Sequence, residues 1–253
     1  MFVLYISYVV VIALPLILTA TILTAAITIL GSVIGDAKFW GYHPGKIWSK
    51  VVCTTLLLPV KVEGRENINK NRSYVFVANH QGAFDIFLIY GYLHRNFKWM
   101  MKRSLRAIPF VGKACESAGH IFVDRSGPRK ITQTIAQAKE RLVNGVSLVV
   151  FPEGARTFTG HMGYFKRGAF QLANDLELDV VPLTIDGSFD VLPRTGKMIK
   201  RRTLRLTIHQ PIPYQGKGAN YVRDTMKRSY TAIESALPES RQGMVENPDQ
   251  EVE

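Results

Sequence analysis

Tyr74-Val75-Phe76-Val77-Ala78-Asn79-His80-Gln81-Gly82-Ala83-Phe84-Asp85 is the stretch on which the reading of this chain turns. The first five residues are apolar or aromatic and are bounded by polar ones, which predicts a buried strand. Asn79 to Gly82 interrupt the run, and the residues after them, Ala83–Leu93, read as a helix. A strand that empties through a glycine-containing turn into a helix is the building unit of α/β sheets, and sites in such sheets collect where strands end and helices start. His80 and Asp85 bracket that turn. Five residues apart across it, the carboxylate can fold back onto the imidazole, fix its tautomer and stabilise the imidazolium. The same pairing also occurs as a plain structural hydrogen bond, so the pair needs company before it means catalysis. No G-x-S-x-G elbow supplies a partner serine, which leaves a substrate hydroxyl as the nucleophile.

Outward from this unit, short apolar runs alternate with amphipathic ones. Strands are expected at Val60–Glu63, Lys98–Lys102, His120–Val123, Ser147–Phe151, Val180–Ile185 and Leu204–Ile208. Helices are expected at Pro109–Ala118, Pro128–Asn144, Arg167–Asp175 and Ala219–Ala236. Pro128 suits a first helical turn, Ile131, Ile135, Ala138 and Leu142 share one face, and Asn144-Gly145 is a stop signal. The fold class that follows is α/β, a mixed and mostly parallel sheet flanked by helices.

The chain has 253 residues, 32 Lys+Arg against 20 Asp+Glu, and 47% apolar residues. No charged side chain precedes Asp36, and the remainder has the charge content of a soluble domain, which excludes disorder, a collagen-like repeat and a polytopic transporter. Two cysteines, Cys53 and Cys115, are too few for a disulfide framework or a cysteine-rich metal site. Phe2 to Ile34 exceeds the ~20 apolar residues needed to cross a bilayer. It lacks the basic start and the small-residue cleavage site of a signal peptide. Lys38, Lys46 and Lys50 follow it, which puts the globular part on the cytoplasmic face of a cell membrane. Pro15 can kink the segment, and an amphipathic stretch, Lys46 to Leu58, comes next. A spanning helix and a hairpin lying in one leaflet are both open readings. Residues 1–58 are thus taken as a membrane anchor, 59–237 as the globular domain, and 238–253, with five acids and one arginine, as a disordered tail.

Two more strand ends carry polar residues. Val149-Val150-Phe151-Pro152-Glu153-Gly154-Ala155-Arg156-Thr157 runs from an apolar strand into a Pro-Glu-Gly turn. There a carboxylate can hold a hydroxyl and an arginine can grip a phosphate. Gly119 to Arg125 ends in Asp124-Arg125. Lys102 and Lys166 add cations. A solvated basic surface would look similar on any one of these segments alone.

Taken together, the blocks resemble the glycerolipid acyltransferases of the lysophosphatidic acid acyltransferase type. N-H-x4-D matches Asn79-His80 through Asp85. G-x-I-F-hydrophobic-D-R matches Gly119 through Arg125. F-P-E-G-x-R-[ST] matches Phe151 through Thr157, followed by Lys166, Gly168 and Ala169. V-P-hydrophobic matches Val181-Pro182-Leu183. Between the first two, K-x-x-L-x-x-I-P-x-x-G matches Lys102, Leu105, Ile108, Pro109 and Gly112. Ser104 stands where the family often has Glu, and Ala155 where it often has Thr.

The resemblance implies that His80 is a general base oriented by Asp85. It implies that Arg125, Arg156 and Lys102 hold the acceptor's phosphate, that Glu153 and Gly154 line the glycerol side, and that Lys166 is a further cation at the site. It implies transfer of an acyl chain from a thioester, acyl-CoA or acyl carrier protein, to lysophosphatidic acid, giving phosphatidic acid for phospholipid biosynthesis at a lipid surface. No cofactor and no metal are expected. Another lysolipid acceptor is the near alternative. A non-enzymatic, membrane-tethered binder of anionic ligands is the remote one, and nucleic acid is not an expected partner.

Overall fold

The computed structural model describes residues 2–123, 128–216 and 218–245. Seven strands form one central sheet: β1 (Val60–Glu63), β2 (Val75–Ala78), β3 (Phe97–Lys102), β4 (Ile121–Val123), β5 (Ser147–Val150), β6 (Val180–Asp186) and β7 (Leu204–Ile208). Their spatial order is β1-β7-β6-β2-β5-β3-β4. All neighbours are parallel except β6 and β7, which run antiparallel, so β7 and β1 point opposite to the other five. The mixed, mostly parallel sheet expected from the sequence is what forms.

The inner strands β2, β5 and β6 are almost wholly buried because both faces are covered, whereas β1 and β7 alternate with exposed residues. The period-two alternation sends Phe76 and Ala78 into one apolar layer and Val75 and Val77 into the other. The first layer is closed by α4 (His43–Thr55) and α5 (Phe84–Tyr92). The second lies under α7 (Pro128–Arg141), α8 (Gly168–Leu176) and α10 (Ala219–Ser235). The helix α6 (Val111–Ser117) leads into β4, and α9 (Ser188–Val191) is a single turn after β6.

The leader is one continuous helix, Val3–Ile34. Within it α1 (Phe2–Tyr8) and α2 (Leu14–Ile34) are joined by a π-helical segment, Val9–Ala13, which ends two residues before Pro15. The proline lacks an N–H and its ring crowds the carbonyl four residues back, and a widened turn accommodates both. A short helix, α3 (Ala37–Trp40), reverses the chain. α4 then runs back along α2, with Trp48 Nε1 donating to Thr21 Oγ1 at 2.9 Å. Tyr5 and Tyr8 donate their hydroxyls to the carbonyls of Leu56 and Thr55 at the far end. α4, read from the sequence as part of the anchor, also belongs to the core, where Val52, Cys53 and Leu56 are buried.

The tail departs from the expected boundary. Glu239–Arg241 form a 3-10 turn, and Arg241 Nη2 donates to Asp190 Oδ1 at 2.7 Å. One ion pair and contact with the domain order residues whose composition alone predicts none. Residues 246–253 lie outside the described part.

Candidate active site

β2 ends at Ala78, and Asn79 continues its line with a side chain instead of a backbone. Buried Asn79 donates Nδ2–H to the Ile185 carbonyl and accepts at Oδ1 from the Ile185 N–H, at 2.8 and 2.7 Å. This locks the end of β2 to β6, and the chain turns away with His80 held at the lip of the sheet. The sequence reading assigned Asn79 no task. Its only sequence signal is a polar residue placed where the strand should still be buried.

Asp85 enters from the first turn of α5 and is fully buried. Its Oδ2 accepts three hydrogen bonds, from His80 Nδ1 at 2.7 Å, from Gln81 N at 2.7 Å and from Gly82 N at 2.9 Å. Two backbone donors on that oxygen require an acceptor there, so the imidazole donates from Nδ1, and in the neutral ring Nε2 carries the lone pair. Among the described residues nothing bonds Nε2. The ring lies flat against Phe151, with centroids 3.9 Å apart and planes 11° apart, and Phe151 stacks in turn on Trp99. The imidazole therefore has one face on an aromatic wall, one nitrogen committed and one nitrogen open.

The segment after β5 braces the same histidine through its backbone. Glu153 Oε1 accepts from His80 N at 2.7 Å, and the Thr157 N–H donates to the His80 carbonyl at 2.9 Å. Glu153 Oε2 accepts from Gly163 N at 2.8 Å. Glu153 is only 2% exposed. Burial pushes its carboxyl up to about 8, against the opposing pull of those two N–H donors. Glu153 is expected from the resemblance to line the acceptor's glycerol, and the structure gives its carboxyl a bracing task at the His80 turn. Both of its oxygens are taken by backbone donors, and it holds the histidine turn and the Gly163 loop together.

Gly154 follows in the left-handed region, at φ 77°, where an L side chain is strained. The stem of Lys166 lies over it, and the Lys166 N–H donates to the Pro152 carbonyl, which brings Lys166 back to this turn. Arg156 is half-buried one residue before Thr157, and so lies beside the His80 backbone. Among the described residues its guanidinium has no ion pair. Lys102 is exposed at the end of β3, paired with Val123 of β4. β3 is two strands from β2, or about 10 Å across the sheet. Arg125 lies outside the described residues. The structure thus gathers His80, Asp85, Glu153, Gly154, Arg156 and Lys166 around one turn, with Lys102 farther along the same edge.

An imidazole oriented by a buried carboxylate, with Nε2 open and with Arg156 and Lys166 on the turn that braces its backbone, can take a proton from an alcohol that carries an anionic group. Residues 59–186 match the acyltransferase family. The chain is 34% identical over 182 residues to a 1-acyl-sn-glycerol-3-phosphate acyltransferase of Chlamydomonas reinhardtii, covering 71% of this chain and 53% of that one. It is 30% identical over 209 residues to the 1-acyl-sn-glycerol-3-phosphate acyltransferase of Saccharomyces cerevisiae, covering 79% and 69%. Against the algal protein and a chloroplast enzyme of Arabidopsis thaliana it spans about half of the relative's length, 53% and 47%. The crystal structure of the 1-acyl-sn-glycerophosphate acyltransferase PlsC from Thermotoga maritima superposes with a TM-score of 0.70 at 26% identity, covering 93% of this chain and 96% of that one.

Proposed function

The chain belongs to the acyltransferase family, and from that premise we propose that it transfers an acyl chain from a thioester to the free hydroxyl of lysophosphatidic acid, making phosphatidic acid. The observation that carries the reading is the 2.7 Å bond between His80 Nδ1 and Asp85 Oδ2, which leaves Nε2 as the open base. The names of the aligned relatives support the acceptor.

Nε2 of His80 removes the hydroxyl proton as the oxygen attacks the thioester carbonyl. The carbon–oxygen bond forms, the carbon–sulfur bond breaks, and the imidazolium returns its proton to the departing thiolate. Asp85 stabilises that imidazolium through Nδ1–H. Glu153 and Thr157 hold the His80 backbone so that the ring does not drift from its attack position. Arg156, Lys166, Lys102 and Arg125 serve the acceptor's phosphate. The donor is a soluble thioester, acyl-CoA or acyl carrier protein, and no cofactor takes part.

We further propose that the helix Val3–Ile34 lies in one leaflet and does not cross the bilayer, with the domain on the cytoplasmic side. Its bonds to α4 at Tyr5, Tyr8 and Thr21 tie it to the domain over much of its length, while Leu4, Val11, Leu16, Leu23, Leu30 and Val33 point outward and are exposed. Lysolipid then reaches His80 by lateral diffusion, without exposing its acyl chain to water at ~0.8 kcal/mol per CH₂.

Purified full-length protein assayed with one acyl donor against a panel of lysolipids tests the reading. Lysophosphatidic acid is expected to lead the panel, and Arg156→Ala is expected to raise its KM about tenfold by removing a charged hydrogen-bond donor. Preference for an uncharged or amino-acid-bearing lysolipid, or an unchanged KM in that variant, would refute the phosphate assignment.

A further inference from the structure

Between β3 and α6 lies the segment Lys102–Val111, and only Lys102 of it has a task in the chemistry above. It leaves β3 at the same end of the sheet at which β2 delivers His80, because β2, β5 and β3 are parallel neighbours. Leu105, Ile108, Phe110 and Val111 are exposed, with Phe110 the most outward at 67%. Four large apolar side chains within seven residues are a contiguous patch of the kind soluble surfaces avoid.

The loop is built to hold them out. Phe110 has φ 61°, a backbone setting unfavourable for a bulky residue, in a γ-turn closed by Val111 N–H donating to the Pro109 carbonyl. The Gly112 and Ala114 N–H groups donate to the carbonyls of Ile108 and Phe110 at 2.8 and 2.9 Å. A Cβ at Gly112 would collide with the Arg106 carbonyl, so only glycine lets α6 start where it does. Arg106 pairs with Glu116, and its guanidinium lies 5.5 Å from the Phe122 ring centroid, tying the loop to α6 and β4.

Two observations identify what covers this patch. Lys102, Arg103, Arg106 and Lys113 are exposed around it, with Glu116 pairing to the last two, and the net positive charge suits anionic headgroups above a hydrocarbon layer. Val111 meets Thr21, Thr24 and Thr28 of α2 around a mostly apolar cavity of about 90 Å³. The loop therefore stands against the domain-facing side of the leader helix, next to the segment whose other side is exposed and apolar.

We propose that Leu105–Val111 is a second lipid contact, made by the α/β domain itself, which inserts Ile108 and Phe110 into the leaflet that holds α2. It sets the height and tilt of the His80 cleft over the hydrocarbon, two points of attachment being needed to fix an orientation that one helix leaves free. The inference rests on the reading that the acceptor arrives from a bilayer.

The test uses the full chain in vesicles of phosphatidylcholine and phosphatidylglycerol. A photoreactive p-benzoylphenylalanine replaces Phe110, Leu23 on the outer face of α2, or Val143, which is exposed before β5 at the opposite end of the sheet. Lipid adducts, read by mass spectrometry, are expected at positions 110 and 23 and not at 143. Adducts at 23 alone, or at neither site, overturn the proposal. This readout needs no turnover, so it fails separately from the acyl-transfer reading. Ile108→Ser with Phe110→Asn is expected to lower kcat/KM about tenfold for acceptor carried in vesicles. It should leave a short-chain, water-soluble acceptor unchanged. An equal fall on both would make the loop merely structural.

Discussion

The turn at His80 and the helix that opens the chain are built by opposite rules. In the turn, polar groups find partners inside the protein: one oxygen of Asp85 takes three donors, both oxygens of Glu153 take backbone N–H groups, and Asn79 mimics a piece of strand. On the outer face of α2, apolar groups are left uncovered, and Leu16, Leu18, Leu23 and Leu30 stand outward. The first region is complete by itself and gives one imidazole a fixed position. The second leaves an apolar face uncovered, which the proposed function assigns to a lipid phase. In that proposal the acyl transfer uses both, a rigid base and a surface that brings it to the acceptor.

Removing the imidazole is the largest break in the first region. His80→Ala is expected to cut acyl transfer by about 10²–10⁴-fold, the range of a general base. The fold should persist, because the braces run to the His80 backbone and not to its ring alone. Residual transfer close to wild type would remove His80 from the mechanism.

The second region is probed by a charge on its outer face. Leu23→Asp is expected to weaken vesicle binding while leaving the domain folded in detergent, since Leu23 is 56% exposed. An acidic residue at the centre of a spanning helix costs about 2.5–3.5 kcal/mol, and less where the side chain can reach headgroups. A loss near the full centre value would favour crossing over lying in one leaflet. A smaller loss fits a helix lying in one leaflet, and no loss at all would deny the helix a lipid role.

The smallest expected effect returns to the turn. The Glu153 carboxyl ordinarily titrates near 4.5 and is held up to about 8 by burial. Between those values the folded chain keeps a proton that the unfolded chain has released, so this group's contribution to stability falls as pH rises through the window. Thermal melts of wild type from about pH 5 to pH 8 should therefore slope downward more steeply than those of Glu153→Gln. Parallel curves would show that Glu153 does not titrate there.

Much of the sheet was legible in one dimension. β1 and β7 occupy the expected residues, and the other strands shift by one residue at an end, because short apolar runs between polar turns are set by local pattern. The order of the strands was not legible. β6 lies against β2 although about a hundred residues separate them, and such pairings depend on how crossovers pack. The His80–Asp85 pair could be read because five residues and one turn span it. The task of Glu153 could not, because its partner is the His80 backbone, 73 residues earlier. Gly112 stood in a recognised motif without a reason until the Arg106 carbonyl was seen beside it.

By itself the sequence determined which segments would be strands, that the first thirty-five residues would shun water, and that one histidine had a carboxylate within reach. All of these follow from residue chemistry and local spacing. Only the tertiary structure decided that Glu153 braces the backbone of the base, that the leader folds back along α4, and that Phe110 stands out beside it. Those outcomes depend on which distant groups close packing brings into hydrogen-bond range, and on which apolar surfaces it leaves uncovered.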